Sequence, residues 1–410
     1  MKTKIIIKDY PCGFGKTSQM INSFSQDKKY LFIVPYLSEV TRVIRESNSV
    51  RFLEPLSETS TKTDNLKELL LMGENVVTTH SLYSKMVQMA DEGLLDDYHI
   101  IIDEVPDVAN AILSKSKHSI KEIYIDGGYI CVDDDGLVHP TEKWRNNQID
   151  VSDTLADKLR IAAETNSLYL VNGSLFLKVL PERLLMAGKS TTILSYKTNG
   201  SILSAYLKKQ SIPYELLFDP CVEEEFRAQA AELICLKDIP AISKLKLTHT
   251  GQVQGKSQFC FYNKISSALK NIRYRELQGV PIENILITCV KDCWFDGDKS
   301  GVFARGSKMT KANWIANTTR GTNDFSHCSH LIYLYEQHIN PAIAKWMKCD
   351  TKEFNDAYAL TELIQWVWRS RIRNGQPITL YLPSPRKSSL FIQWLSGSYS
   401  IDNQLLTAAA

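Results

Sequence analysis

The chemistry in this sequence is concentrated in three short runs. The first is DYPCGFGKTSQM, residues 9–20. Gly15, Lys16 and Thr17 fit the second half of the phosphate-loop pattern G-x-x-x-x-G-K-[ST], and Tyr10 stands where its first glycine belongs. Gly13 supplies a second flexible position, and Pro11 fixes the turn. The loop residues Cys12, Gly13, Phe14, Gly15 and Ser18 would wrap a phosphate with backbone amides, and Pro11, which has no N–H, would line the loop as its turn. Lys16 would reach the β- and γ-phosphates, and Thr17 would hold Mg2+. The second run is HIIIDE, which ends in Asp103 and Glu104. One carboxylate there can hold Mg2+, and the next can orient and deprotonate an attacking water. The third run is QWVWRSRIRNGQPI from Gln365. Arg369 and Arg373 are four apart, so a helix would put them on one face and turn Arg371 away. Two guanidinium groups presented together can stabilise charge developing on a γ-phosphate. Together the three runs point to ATP or GTP hydrolysis.

The elements around these runs are of the right kind to position them. MKTKIIIKD before the glycine loop reads as a short buried strand, and SQMINSF after it starts a helix. KYLFIVPY (29–36), ENVVTTHSLY (74–83) and HIIIDEV (99–105) are further strands separated by amphipathic stretches. Such alternation implies a parallel sheet covered by helices, with the acidic pair at a strand's carboxyl end where ligands bind. Residues 106–190 interrupt it. EIYIDGGYICVDDDGLVH reads as an inserted hairpin, followed by the helix TLADKLRIAAETN, before TTILSYK (191–197) resumes the sheet. A second α/β unit follows. Its expected strands are SQFCFYN (257–263), NILITCV (284–290), NWIANTT (313–319), HLIYLYE (330–336) and PITLYLPS (377–384). The expected division is 1–215, a linker at 216–245, 246–395, and a tail at 396–410.

The bulk numbers set limits. The chain has 410 residues, 44% hydrophobic and 23% charged, an ordinary soluble composition with material for a large core. A net charge of +2 gives no global basic field, so any nucleic-acid binding must come from local patches. Nine scattered cysteines fit a reducing compartment, and the absence of a leader-like N-terminus or an apolar run of membrane length fits a cytoplasmic protein without a membrane partner. Cys289 and Cys293, with His327, Cys328 and His330, lack the C-x-x-C spacing of a zinc site.

In combination these motifs resemble superfamily 2 helicases of the DExD/H type, which are built from two RecA-like domains, and especially the compact helicases encoded by tailed phages. The resemblance covers roughly residues 4–384 except 106–190. PCGFGKT matches motif I, VPYLSEV motif Ia, and VTTHSLY the T-H-x-x-[FL] element that touches nucleic-acid backbone. IIIDEVPD matches motif II, with DEVP for DEAD or DEAH. TTILSYK falls at motif III without an intact S-A-T, leaving Ser195 and Thr198 as its candidates. FCFYNKISSA matches motif IV, and ANTTRGTNDF motif V. QWVWRSRIR matches motif VI, Q-x-x-G-R-x-x-R, with Trp368 for the glycine and the second arginine displaced.

The resemblance implies ATP and Mg2+ bound between two RecA-like domains. Gly321 and Asn323 would face the nucleotide, and Gln365 would belong with Glu104, Asp103, Lys16, Arg369 and Arg373 in catalysis. Pro35, Thr78, Thr79, His80, Thr318, Thr319 and Arg320 would contact nucleic-acid backbone. Single-stranded or forked DNA is the favoured partner, with RNA open, in replication, recombination or repair. The 106–190 insertion would be free to take a protein partner. With no glutamine motif upstream of the loop, base selectivity is expected to be loose. Basic supplements at Lys264, Lys270, Arg273 and Arg275 read as a solvated helix face as readily as a nucleic-acid patch. Trp294 and Phe295 read as core or as a stacking pair. The other reading left open is a packaging or remodelling ATPase without strand separation.

Overall fold

A computed structural model describes residues 4–57, 61–112, 120–146, 155–319 and 321–399. The first half is built on six parallel strands. In chain order they are β1 (Lys4–Asp9), β2 (Lys29–Val34), β3 (Val76–Thr79), β4 (Tyr98–Asp103), then, after the insertion, β10 (Ser190–Ser195) and β11 (Glu215–Leu217). Their order across the sheet is β11-β1-β10-β4-β2-β3. Runs such as KYLFIV and YHIIID are almost wholly buried, as strands covered by helices on both faces must be. The register pairs Asp9 with Ser195 and Leu194 with Asp103, so β1, β10 and β4 end at one edge. The glycine loop and the acidic pair therefore share that edge.

The insertion lies between β4 and β10. It holds β5 (Ala109–Ile112), β6 (Ile130–Val132), β7 (Val138–Pro140), β8 (Leu168–Val171) and β9 (Leu175–Val179). An antiparallel sheet β5-β9-β8 and the hairpin β6-β7 pack with the helix Leu155–Glu164 around Trp144, Leu159 and Phe176. The expected hairpin is present around Asp133–Gly136, but its first half is not strand. Ile120–Ile125 winds as a π-helical turn, stopped by Gly128 at φ 71°.

The second half carries another parallel sheet. Its strands are β12 (Ile234–Lys237), β13 (Ile285–Thr288), β16 (Asn313–Trp314), β17 (His330–Tyr333) and β18 (Ile378–Tyr381), ordered β12-β18-β17-β13-β16. A small hairpin of β14 (Phe295–Asp296) and β15 (Lys299–Ser300) follows β13. Three expectations change here. The 216–245 segment is a helix, Pro220–Leu233, followed by β12, which pairs along β18. FCFYN is not a strand but the first turns of one helix, Phe259–Arg275, because Ile265, Ala268, Leu269 and Ile272 bury one face at helical spacing. NWIANTT contributes only the two residues of β16.

The halves are in close contact. Ile339, Ile343, Trp346, Met347, Phe354 and Tyr358 of the second half join the apolar core of the first. Trp346 meets Tyr169 of the insertion edge to face, with ring centres 4.8 Å apart. Gly200 of the first half lies flat on the helix Lys352–Val367, where any Cβ would come within 2.7 Å of the Ala357 carbonyl oxygen.

Candidate nucleotide site

The glycine loop leaves β1 with Tyr10 N–H donating to the Ser195 carbonyl at 3.1 Å. Gly13 (φ 84°) and Gly15 (φ 83°) take left-handed backbone, and Gly15 caps the helix Lys16–Asn22. At Gly15 a Cβ would meet nothing, so backbone conformation alone accounts for the glycine there. Lys16 Nζ donates to the carbonyls of Tyr10 (2.7 Å) and Pro11 (3.0 Å), which folds the ammonium into its own loop. Thr17 Oγ1 donates to Asp103 Oδ2 at 2.7 Å. That pairing sets two hard oxygen donors side by side at the cleft floor, a donor set suited to Mg2+. Burial pushes the Asp103 carboxyl up to about 6. The Thr17 hydrogen bond opposes the shift and the neighbouring Glu104 charge adds to it.

Glu104 follows at φ 60°, a left-handed conformation that costs a non-glycine residue about 1–2 kcal/mol. The turn carries its carboxylate off the sheet edge and across to the second half. There Glu104 Oε1 accepts from Arg369 Nη2 at 3.1 Å and from the Gly321 amide at 3.1 Å. Arg369 is only 7% exposed, so this ion pair is shielded from solvent. Arg373 Nη1 donates to Asn323 Oδ1 and, at 3.4 Å, to the Thr322 carbonyl. Burial, and then the charge of Arg369, pull the Arg373 pKa down. Gln365 Nε2 donates to the Tyr196 carbonyl at 3.2 Å. Together these side chains enclose a cleft of about 290 Å³ with the glycine loop as its floor.

The structure thus gathers Cys12, Gly13, Gly15, Lys16, Thr17, Ser18, Asp103, Glu104, Gly321, Asn323, Gln365, Arg369 and Arg373 around one cleft. Phe14 lies beside it, stacked on Tyr10 at 4.8 Å. The expected helical face for the arginines is not present. The helix stops at Val367, and Arg371–Asn374 is a separate 3-10 turn. Arg369 and Arg373 reach the cleft from either side of this break. Arg371 points outward, donating to the Pro377 carbonyl at 2.6 Å.

The residues expected on nucleic acid divide differently. Thr78 is buried in β3, so its hydroxyl is not available to a backbone phosphate. Pro35 lines the nucleotide cleft, against Gly321. His80 Nε2 hydrogen-bonds the Asp103 carbonyl at 2.9 Å, which ties it to the acidic pair. Thr79 and Thr319 are half-buried, Thr318 is exposed, and Arg320 lies outside the described residues. Trp294 is core, whereas Phe295 is exposed and packs edge to face on Trp314. Arg273 is occupied with the Leu277 and Val280 carbonyls, and Lys264, Lys270 and Arg275 are exposed on the same helix. Among the described residues no group of three or more His, Cys, Asp or Glu side chains is placed to hold a metal ion, and no helix is long and apolar enough to cross a membrane.

Two charged wall residues, Glu39 and Arg42, were not among the sequence expectations. Arg42 Nη2 donates to Ser18 Oγ at 3.0 Å, and its Nη1 pairs with Glu39 at 3.1 Å. Their spacing of three on the helix after Pro35 was the available signal. Ser195 lines the cleft, whereas Thr198 is buried behind it, its amide donating to Asp9 Oδ2 at 3.1 Å.

Residues 231–395 match the family described as the YonV C-terminal Rossmann-like domain. The match begins just before β12, which agrees with that strand belonging to the second sheet. Over 412 residues the chain is 28% identical to the SPbeta prophage-derived uncharacterized protein YonV of Bacillus subtilis (strain 168), covering 96% of this chain and 98% of that protein. In fold it is similar to an XPD helicase, with a TM-score of 0.50 and 12% identity over 97% of this chain and 95% of the other. Xpd4 of S. tokodaii aligns with a TM-score of 0.44 and 14% identity over 95% and 94%.

Proposed function

We propose that the chain hydrolyses ATP in the cleft between its two sheets and couples that reaction to movement on nucleic acid, as a helicase or translocase. One observation carries the reading. Glu104 stands between the Thr17–Asp103 pair of the first half and Arg369 of the second, inside one cleft floored by the glycine loop. Catalytic groups drawn from two sheets onto one phosphate site are what a reaction timed by domain closure requires.

In this reading Lys16 exchanges its loop carbonyls for the β- and γ-phosphates. Thr17 and Asp103 would hold Mg2+, which would supply positive charge to the phosphates. Glu104 accepts the proton of the attacking water, and Arg369 with Arg373 stabilises charge on the departing γ-phosphoryl group. Gln365 fixes the neighbouring backbone, and the Gly321 amide and Asn323 face the nucleotide from the second half. Arg369 is engaged by Glu104 itself. A γ-phosphate competes for that guanidinium and releases the carboxylate for its role as base.

Nucleic acid would run along Thr79, His80, Thr318, Thr319 and Arg320. Single-stranded or forked DNA is favoured and RNA is the alternative. The XPD-like fold and the prophage relative support this assignment, in phage replication, recombination or repair. The deciding experiment is ATP turnover by the full chain with and without single-stranded DNA, forked DNA and RNA. Stimulation supports the motor. ATP turnover indifferent to all three would favour a packaging or remodelling ATPase, and no turnover at all would overturn the assignment.

A further inference from the structure

A second cavity, of about 380 Å³, opens where the two halves of the chain pack on each other. One wall is the helix Ile202–Lys209 with the following Ser211–Tyr214, and the other is Met347–Phe354. None of its lining residues lines the nucleotide cleft. Its size falls at the low end of small-molecule pockets, which run from about 300 to about 1,000 Å³. Leu207, Ile212, Met347 and Phe354 make much of the wall apolar.

The polar groups are few and unbalanced. Asn199 lines the wall, and its Oδ1 is buried without a hydrogen-bond partner. Lys208 and Lys348 are exposed at the rim, the latter on left-handed backbone (φ 55°). Lys209 stands beside them with its ammonium 4.4 Å from the centre of the Trp346 ring. Burial lowers the Lys209 pKa and Lys348 lowers it further, while the Asp135 carboxylate opposes the shift. An apolar hole alone would accept any hydrophobe. The exposed ammonium groups of Lys208 and Lys348 at its mouth favour an anion.

We propose that this cavity binds a small anionic amphiphile. A flat apolar body would fill the Leu207–Phe354 wall, and a carboxylate, sulfonate or phosphate would meet Lys208 and Lys348. The site lies between the halves, so its ligand touches both. Its Asn199 edge belongs to the Thr198–Gly200 turn, whose first amide holds Asp9 next to the glycine loop. The assignment is independent of the nucleotide reading.

The test uses the full chain and anilinonaphthalene sulfonate as probe, followed by fluorescence titration. Expected are one saturable site, an affinity unchanged by saturating Mg2+ and ATP, and weaker binding of the uncharged phenylnaphthylamine. Lys208→Glu together with Lys348→Glu should weaken the sulfonate by about tenfold or more while cooperative unfolding persists. Ser204→Phe, placed in the cavity wall, should abolish the site. If that variant fails to fold, the exposed charge reversal decides alone. Unaltered dye affinity in the charge-reversed chain, or displacement of the dye by ATP, would overturn the proposal.

Discussion

Glu104 and Arg369 are separated by 265 positions in sequence, yet their charged groups sit 3.1 Å apart. The pair joins the carboxyl end of a strand in one sheet to the end of a helix in the other. Losing either member leaves the other charged and shielded, a cost of about 3–5 kcal/mol where no rescue exists. In the proposed reaction the same two groups have separate tasks, so their variants should separate in kinetics. Glu104→Gln should retain nucleotide and stop turnover, because only the base is lost. Arg369→Ala should lower kcat by about 10³-fold or more with a much smaller change in ATP affinity. Arg371→Ala should change little, since that guanidinium faces away. Stopped-flow ATP binding beside steady-state turnover checks all three. Native turnover in Glu104→Gln would remove the carboxylate from the mechanism.

The pH response should report Asp103. Its folded pKa is raised from 3.8 to about 6, chiefly by burial. A raised acid binds its proton more tightly folded than unfolded. Its contribution to stability is therefore full below the unfolded pKa and is lost as pH rises through about 6. Asp103→Asn should flatten that part of the stability curve. Affinity for Mg2+ with ATP should move the other way, falling as pH drops below about 6, because the cation needs the carboxylate. Calorimetric titrations between about pH 5 and about pH 8 measure both. A pH-independent Mg2+ affinity would mean that Asp103 is not a ligand.

Much of this site was legible because its chemistry is local. GKT and the acidic pair each sit on a strand-to-turn junction that three or four residues define. The arginines were legible by type but not by phase. Nothing in QWVWRSRIR, which holds no glycine or proline, signals the helix end at Val367. FCFYN misled because aromatic residues favour strands, yet Phe261 packs against Gly255 and the helix wins. β12 was hidden because ICLK is short and its partner β18 lies far along the chain. The roles expected of Thr78 and Pro35 failed on burial and position, which spacing alone does not give.

Lys387 should behave as a buried base. It is fully buried with Nζ 4.1 Å from the centre of the Tyr333 ring, and burial lowers its pKa from 10.5 to about 7 despite opposition from Glu336. A depressed pKa places the folded state at a disadvantage wherever the unfolded amine is protonated. Stability should therefore rise as pH climbs from about 7 towards the unfolded value and stay flat below. Lys387→Met, which keeps the stem and drops the charge, should raise Tm at neutral pH and lose that advantage in alkaline buffer. A lower Tm at neutral pH would show that the ring contact outweighs desolvation.

Gly200 should be intolerant of any side chain. An added Cβ would come 2.5 Å from Thr361 Oγ1 and 2.7 Å from the Ala357 carbonyl oxygen. Overpacking of this kind costs about 1–3 kcal/mol, or else the halves separate. Gly200→Ala should lower Tm and raise the KM for ATP, because the opposed helix Lys352–Val367 leads directly to Arg369. Thr361→Ala should restore only part of the loss, since the carbonyl remains. Unchanged Tm and KM in Gly200→Ala would mean the two halves tolerate separation at this contact.

Nucleic acid should stimulate turnover, and salt should weaken the stimulation. Strand-backbone binding releases counterions, so the concentration for half-stimulation should climb with ionic strength. The two candidate side chains after β3 should not act alike. Thr79 is half-buried at the strand end. Thr79→Ala should weaken stimulation and leave basal turnover near native. His80 holds the Asp103 carbonyl at 2.9 Å, so His80→Ala should lower basal turnover as well as stimulation. A closed form favoured by nucleic acid across both halves explains why stimulation and basal rate are separable at Thr79 and coupled at His80. Turnover at two salt concentrations, with and without single-stranded DNA, distinguishes the cases. If both variants lost stimulation alone, the His80 link to the acidic pair would have no catalytic consequence.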